Sequence, residues 1–460
     1  MKRYKKVIIV LISIFSLQNA FSVSLEELIN YTLESNSEIK ASLNTYETVL
    51  ASVKGFDGAY APGLSLTSST TIPKDYEWNT MPNAFDSCLS FKQPLPGGTT
   101  ISLDTNYYFE TMRFLDTTLV SQYPKISLSV SQSLMPFWLQ GEKKDPIKAS
   151  ANKQKEYYYN QYLYTKKRVL LGLFQNYANA FISYNNIRIN QNYIKLYEEQ
   201  IEALKILKYS GSVTQSKILE TENQKWSSQQ NLMSAQADYL NSILALKKIC
   251  GTNFDDNSII FADYEVSGVD IFQEIDEAVD PLELAYKLKI ELAEVSRVLE
   301  KQSYAPTLSF SLQPNWSLGM VEESDWADAW EDMGKPSTWK ASLSVDLYPL
   351  FSGIAKQNKK KYTINHEDVE REYSVYMQQK AFTQKQYETL LQHYILQRNT
   401  ISTLYDAACA ELEDYKTQFQ ANAISKLDYD TVQTRVENSR LTKEIIEINV
   451  WLYELLKRLH

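Results

Sequence analysis

The chain has 460 residues, 44% hydrophobic and 22% charged, with a net charge of −9. It exceeds one ordinary core, and its acidity argues against nucleic acid as a partner. Only three Cys (Cys88, Cys250, Cys409) and three His (His366, His393, His460) occur, too widely spaced for a disulfide framework or a metal cluster. Without a phosphate-binding glycine loop or a nucleophile motif, no enzyme is expected and no cofactor is implied.

Residues 1–22 read as a secretory signal peptide. Lys2, Arg3, Lys5 and Lys6 precede the apolar run Val7 to Leu17, and Ala20 and Ser22 suit a cleavage site. No later apolar stretch is long enough to span a bilayer as a helix, so any membrane insertion after export is expected through strands.

The rest of the chain repeats one plan. "YAPGLSL" begins at Tyr60 and "YAPTLSF" at Tyr304, an offset of 244 residues. Each follows a short helical lead-in (25–58 and 281–304) and opens a run of alternating apolar and polar residues. Pro lacks an amide proton and disfavours helix in the residue before it, so Pro62 and Pro306 mark the end of a helix and the start of a strand. Strands are expected within 62–135, near Leu64–Ile72, Asp86–Pro94, Thr99–Phe109 and Pro124–Leu134. Others are expected within 306–348, near Thr307–Leu318 and Trp339–Leu347. Ile72–Phe85, Glu110–Tyr123 and Gly319–Ser337 read as longer loops.

Pro136 and Pro349 mark the exits into long helical stretches, 146–250 and 352–460. Leu441, Ile445, Ile448, Leu452, Leu455 and Leu459 follow the four–three spacing of a coiled-coil seam. Leu219, Trp226, Met233 and Leu240 recur every seven residues. Each stretch has one expected turn, at 210–214 (Gly211, Val213, Thr214) and at 421–425 (Asn422, Ile424, Ser425). There Gly or Asn takes left-handed geometry, and Thr214 or Ser425 caps the returning helix. The outgoing helices, of about 65 to 70 residues, would measure roughly 100 Å, and the returning ones roughly 55 Å. The repeats are therefore 23–250 and 281–460. Between them lies the acidic segment 251–280, with nine acidic residues and no Lys or Arg, read as a belt against the helices or as a solvated linker.

Strands with one apolar and one small-polar face suit an outer-membrane barrel with the apolar side to lipid. Six are too few to close one, and open edges do not survive in lipid, so several copies must share it. Lys143, Lys144 and Lys148, then Lys356 and Lys359 to Lys361, follow the strand exits and suit either acidic lipid head groups or a solvated helix face.

The order and spacing of "YAP–LSL" and "YAP–LSF", of the exits "LMPFWLQG" and "LYPLFSG", and of the tips "GSVTQSKIL" and "NAISKLDYD" resemble the TolC-type outer-membrane efflux and secretion channels over essentially the whole mature chain. The resemblance implies an α+β membrane protein with two internal repeats. A shared trimeric outer-membrane β-barrel would be continued by a periplasmic antiparallel α-helical coiled-coil barrel. It implies a homotrimer in outer-membrane lipid, whose tips meet a periplasmic adaptor (membrane fusion protein) and an inner-membrane transporter. The matching pore-constriction positions are Asp428 and Asp430, with Lys217 as the first-half counterpart. The family's Tyr and Arg constriction positions hold Phe419 and Ile424, which puts a polar lock in doubt. Tyr60 and Tyr304 would lie at the periplasmic membrane interface. The expected activity is passive export from the periplasm and an inner-membrane transporter. The alternative is a non-conducting structural or adhesive surface protein.

Overall fold

A computed structural model describes residues 23–56, 60–71, 84–95, 99–114, 117–133, 146–251, 254, 259, 261, 280–303, 307–316, 320–322, 335–336, 338–347 and 353–459. The signal segment, Pro136, Tyr304, Pro306, Pro349 and most of the acidic segment lie outside them. In chain order the elements are α1 (Leu25–Ser35), α2 (Ser37–Phe56), β1 (Gly63–Thr71), β2 (Ala84–Leu95), β3 (Thr99–Phe114), β4 (Thr117–Ser133), α3 (Pro146–Tyr209) and α4 (Gln215–Cys250). Then follow α5 (Pro281–Ser303), β5 (Thr307–Asn315), β6 (Met320–Glu322), β7 (Thr338–Asp346), α6 (Ile354–Gln420) and α7 (Lys426–Leu459). The order of lead-in, strands, long helix, turn and returning helix occurs twice. No helix among the described residues is long and apolar enough to cross a membrane.

The chain divides into two compact units, one of residues 1–44, 160–284 and 374–460, the other of 45–159 and 285–373. The first is helical. Leu25, Leu28 and Ile29 of α1, Leu170, Leu173, Phe174 and Tyr177 of α3, Ile243 and Leu246 of α4, and Ile448, Leu452 and Leu456 of α7 form one buried cluster. The expected seam on α7 is real: Leu441, Ile448, Leu452 and Leu459 are buried. Trp451 meets Phe174 edge-on at 5.9 Å. Of the acidic segment, the described Ile259 is buried and Phe261 packs on Tyr177 and Phe181 at 5.6 and 5.5 Å, so at these points it lies against the helices.

The first lead-in is two helices rather than one. Asn36 ends α1 and starts α2: its Oδ1 accepts from the amides of Glu38 (2.9 Å) and Ile39 (3.1 Å). Its Nδ2 donates to the Ile249 carbonyl at 2.7 Å, tying the break to the end of α4. A side chain that satisfies two orphan amides can outweigh continuation of the helix. Beside it, Gly251 ends α4 with φ +66°, and a Cβ there would lie 2.8 Å from the Ser35 carbonyl oxygen. Gly251→Ala is expected to cost about 1–2 kcal/mol from the left-handed backbone alone, with a further loss from displacing Ser35. The midpoint of thermal unfolding, followed by helical circular dichroism, measures it.

The second unit holds an antiparallel sheet along the path β1-β2-β3-β4-β5-β7, with β6 paired to β4. Two expectations change here. Glu110–Tyr123 is not a long loop: its described residues, 110–114 of β3 and 117–123 of β4, are paired strand. Among the described residues the second half has three strands rather than two, because Met320–Glu322 pairs with β4 inside the expected loop. Pro124 is tolerated within β4 because its ladder contribution is as an acceptor, its carbonyl taking the Trp316 amide at 3.0 Å.

Candidate functional site

The register sorts the strand residues onto two faces. Leu64, Phe91, Leu103, Leu128, Leu312 and Ala341 stand opposite one another across six strands as one continuous row. The neighbouring row is Gly63, Lys92, Ser102, Ser129, Ser311 and Ser342, one residue along each strand and on the other face. Period-two alternation held in register through six strands produces this separation. On the first face Leu64, Leu66, Leu89, Phe91, Leu128, Phe310, Trp339, Leu343 and Val345 are exposed. Towards one end of that face, Phe85 and Phe109 stack at 5.5 Å and Tyr107 donates to Gln122 at 2.9 Å.

The polar face carries hydroxyl groups and the charges Asp86, Lys92, Asp104, Lys125, Lys340 and Asp346, every one in register there. Ser311 and Ser342 hydroxyls lie 2.7 Å apart, and Ser90 donates to Asp104. Among the described residues β1 and β7 each pair along one edge only, leaving the far edges of the sheet open.

In the helical unit, both helical turns close in the same way. At the first, the Gly211 amide donates to Lys208 (3.0 Å) and the Ser212 amide to Leu207 (3.1 Å), with Gly211 at φ +75°. At the second, the Asn422 amide donates to Phe419 (3.0 Å) and the Ala423 amide to Gln418 (2.8 Å), with Asn422 at φ +55°. A left-handed residue flanked by this pair of bonds satisfies the last carbonyls of the outgoing helix.

The caps of the returning helices differ. Thr214 occupies the N-cap position, but its side chain makes no capping bond, contrary to expectation. Ser425 does cap: its Oγ accepts from the Asp428 amide at 3.2 Å. Asp428 Oδ2 accepts in return from the Ser425 amide at 3.3 Å and hydroxyl at 2.7 Å. The Asp428 carboxylate thus closes a capping box where the helix dipole favours it. Asp430 is half-buried one turn position on, and Val213 and Ile424 are half-buried at the two turns. Lys217 pairs with Glu220 at 2.9 Å, and among the described residues nothing joins it to Asp428. Phe419 stacks on Tyr429 at 5.1 Å, so the second turn is closed by ring packing. Tyr60 accepts at its carbonyl from Gln93 Nε2 (2.5 Å), and Pro62 is exposed just before β1.

A polar belt between α3 and α7 escaped sequence reasoning. Asn185 donates to Glu444 (3.2 Å), Arg188 to Glu437 (3.1 Å) and Asn192 to Asn438 (2.9 Å). Arg440, donating to Glu437, holds that carboxyl below the usual range, and Arg188 adds to the effect. Below Asn192 of α3 and Glu437 of α7, towards the turns, no described hydrogen bond, ion pair or ring contact joins α3 to α6 or α7. No local motif announces a belt between residues about 250 positions apart.

No family model matches the chain, and no curated protein matches it. Solved structures do. CusC, from work on conformational changes accompanying folding and transmembrane channel formation, is 13% identical, with a TM-score of 0.60 over 94% of this chain and 93% of its own. The outer membrane protein VceC of Vibrio cholerae is also 13% identical, with 0.59 over 94% and 96%. The CmeC outer membrane channel of Campylobacter jejuni is 15% identical, with 0.57 over 95% and 85%. With its two-faced sheet, its paired helical turns and this agreement along nearly all of its length, the chain has the fold of the TolC-type outer-membrane channels.

Proposed function

We propose that the protein is a passive outer-membrane duct, a homotrimer that carries solutes from the periplasm to the exterior within a three-part export assembly. One observation carries the reading: an exposed apolar face and a polar face, in register over six strands, on a sheet whose two edges are open. A single copy of such a sheet would leave unpaired amides and carbonyls in lipid, whereas further copies pair them β1 to β7. The apolar face then meets acyl chains and the hydroxyl-rich face lines a lumen.

The helices also favour association of several copies. Leu219, Trp226, Met233 and Leu240 of α4, spaced every seven residues, are 50%, 66%, 63% and 48% exposed in the single chain. Val375, Phe382 and Leu396 of α6 are likewise exposed at multiples of seven. Heptad stripes of this kind are covered when helices of neighbouring copies close a helical tunnel. The tip residues Gly211, Val213, Thr214, Asn422, Ile424 and Ser425 then present the adaptor-docking end, beyond which the inner-membrane transporter supplies energy.

Purified protein in planar bilayers tests the duct. Trimers that conduct support it, and pure trimers that never conduct, even with the tips loosened by mutation, would indicate a structural or adhesive role instead. In the same recordings Asp428→Asn tests a three-fold carboxylate ring at the tunnel mouth. Asn retains an acceptor for the Ser425 cap, so the helix start survives while the charge goes. Cation preference and block by multivalent cations are expected to weaken. Unchanged selectivity would leave Asp428 as a cap alone.

A further inference from the structure

Four of the seven described helix starts carry an acid, as the dipole rule favours, while α4 and the two helices that follow the sheet do not. α1, α2, α5 and α7 carry Glu26 and Glu27, Glu38, Glu283 and Asp428 in their first turns. α3 and α6, the helices that follow β4 and β7, have no acid there. Their first ten residues instead hold Lys148, Lys153 and Lys155, and Lys356, Lys359, Lys360 and Lys361. Of these, Lys148 and Lys356 lie in the first turn, where a cation is unfavourable against the positive end of the dipole. At α4 Lys217 meets a negative partner, Glu220, and on α3 Lys153 meets Glu291.

Within the chain, Lys359, Lys360 and Lys361 do not find one. All three are exposed, and no described ion pair or side-chain hydrogen bond involves them. No Asp or Glu lies within four positions of any of them, so the usual helical pairs are impossible. The pattern changes at once beyond: Glu370 lies 3.6 Å from His366, Asp368 pairs with Arg371, and Glu372 pairs with Lys289 at 2.5 Å. Along the chain, the cations follow closely on the exposed apolar residues Trp339, Leu343 and Val345 of β7. An apolar face succeeded by unpaired cations matches the profile of a bilayer, where a head-group layer of about 5–8 Å borders the hydrocarbon. Lys361 stands seven residues into α6, about 10 Å at helical rise.

We infer that Lys359, Lys360 and Lys361, with the exposed Lys155 of α3, seat the phosphate esters of anionic phospholipid head groups at the periplasmic rim of the sheet. The inference rests on the membrane reading above. Long lysine stems lie along apolar surface while their ammonium groups reach the head groups.

The test is lipid retention by the full-length protein in vesicles of equal parts phosphatidylglycerol and phosphatidylethanolamine, read by native mass spectrometry after extraction in mild detergent. The wild type is expected to retain phosphatidylglycerol preferentially. Enrichment should fall about fivefold for each lysine removed in the series Lys359→Gln, Lys360→Gln, Lys361→Gln, and also with added salt. Gln keeps helix propensity, and circular dichroism confirms the fold of each variant. Equal enrichment in wild type and triple variant would overturn the inference, as would its abolition by inorganic phosphate, which would make the patch a free-anion site. Insertion without lipid preference sinks this inference alone, whereas failure to insert sinks the membrane reading with it.

Discussion

Leu343→Arg is expected to keep the protein out of the membrane fraction, whereas Ser342→Arg, one residue earlier, is expected to leave assembly intact. The two positions share β7 but not a face. Leu343 is 70% exposed and stands opposite Phe310 in the apolar set. Ser342 stands opposite Ser311, with their hydroxyls 2.7 Å apart. An arginine on the lipid face costs about 2–4 kcal/mol near the bilayer midplane, and in a trimer the penalty recurs in every copy. On the polar face the same substitution loses one side-chain hydrogen bond, about 1 kcal/mol, and adds a charge to the lumen. If the protein is the trimeric duct proposed above, Ser342→Arg should therefore insert and conduct with reduced cation preference. Membrane fractionation and gel mobility of unheated trimers read the first effect, and bilayer recording the second. Equal behaviour of the two variants would contradict the assignment of the faces.

Backbone punctuation made much of this fold legible in the sequence. Pro, Gly and Asn at Pro62, Gly211 and Asn422 act through φ and through missing or orphaned backbone groups, which are local properties, and both helical turns fall where they place them. The paired heptad seam on α7 was equally readable. The errors lie where a local signal met a stronger distant one. Glu110–Tyr123 reads as a longer loop, but the ladder pairs β3 as far as Phe114 and β4 from Thr117. Asn36 looks like an ordinary helical residue until the Ile249 carbonyl is brought to its amide. Thr214 has the right type for a cap and does not act as one. The α3–α7 belt, and the charged cluster around Asp280, depend on helices that meet only after folding. Asp428 illustrates the converse: its position near a tip was evident, while its engagement with Ser425 became visible only in the structure.

The largest effect expected in the helical unit is that of Lys380→Met. Lys380 Nζ on α6 lies 2.9 Å from both Asp280 and Glu283 at the start of α5, and the three side chains are only 18%, 13% and 23% exposed. Tyr376 donates to Asp280, whose other oxygen takes the Leu282 amide at 3.0 Å, while buried Lys167 of α3 lies near enough to act on the same carboxylate. Burial alone would raise the Asp280 carboxyl, but the Tyr376 and Lys380 hydrogen bonds and the two ammonium charges outweigh it and hold it below the usual range. Burial likewise pushes the Lys167 amine down. Removing Lys380 leaves two half-buried carboxylates against one ammonium, a loss of about 3–5 kcal/mol at neutral pH.

The pH dependence follows from the signs. In the wild type the depressed Asp280 carboxyl contributes stability above its unfolded value of about 3.9, and that contribution is lost as pH falls through the lower folded value. In Lys380→Met, burial prevails and the folded carboxyl rises, so the variant suffers most at neutral pH and recovers on protonation. Thermal midpoints of the helical dichroism signal should therefore differ widely at pH 7 and converge below about pH 4. Adding Asp280→Asn to Lys380→Met restores the charge balance and keeps an acceptor for Tyr376. The double variant should consequently melt above the single one at pH 7. A pH-independent gap, or a double variant weaker than the single, would mean that Lys380 acts by packing its stem and not by neutralising the start of α5.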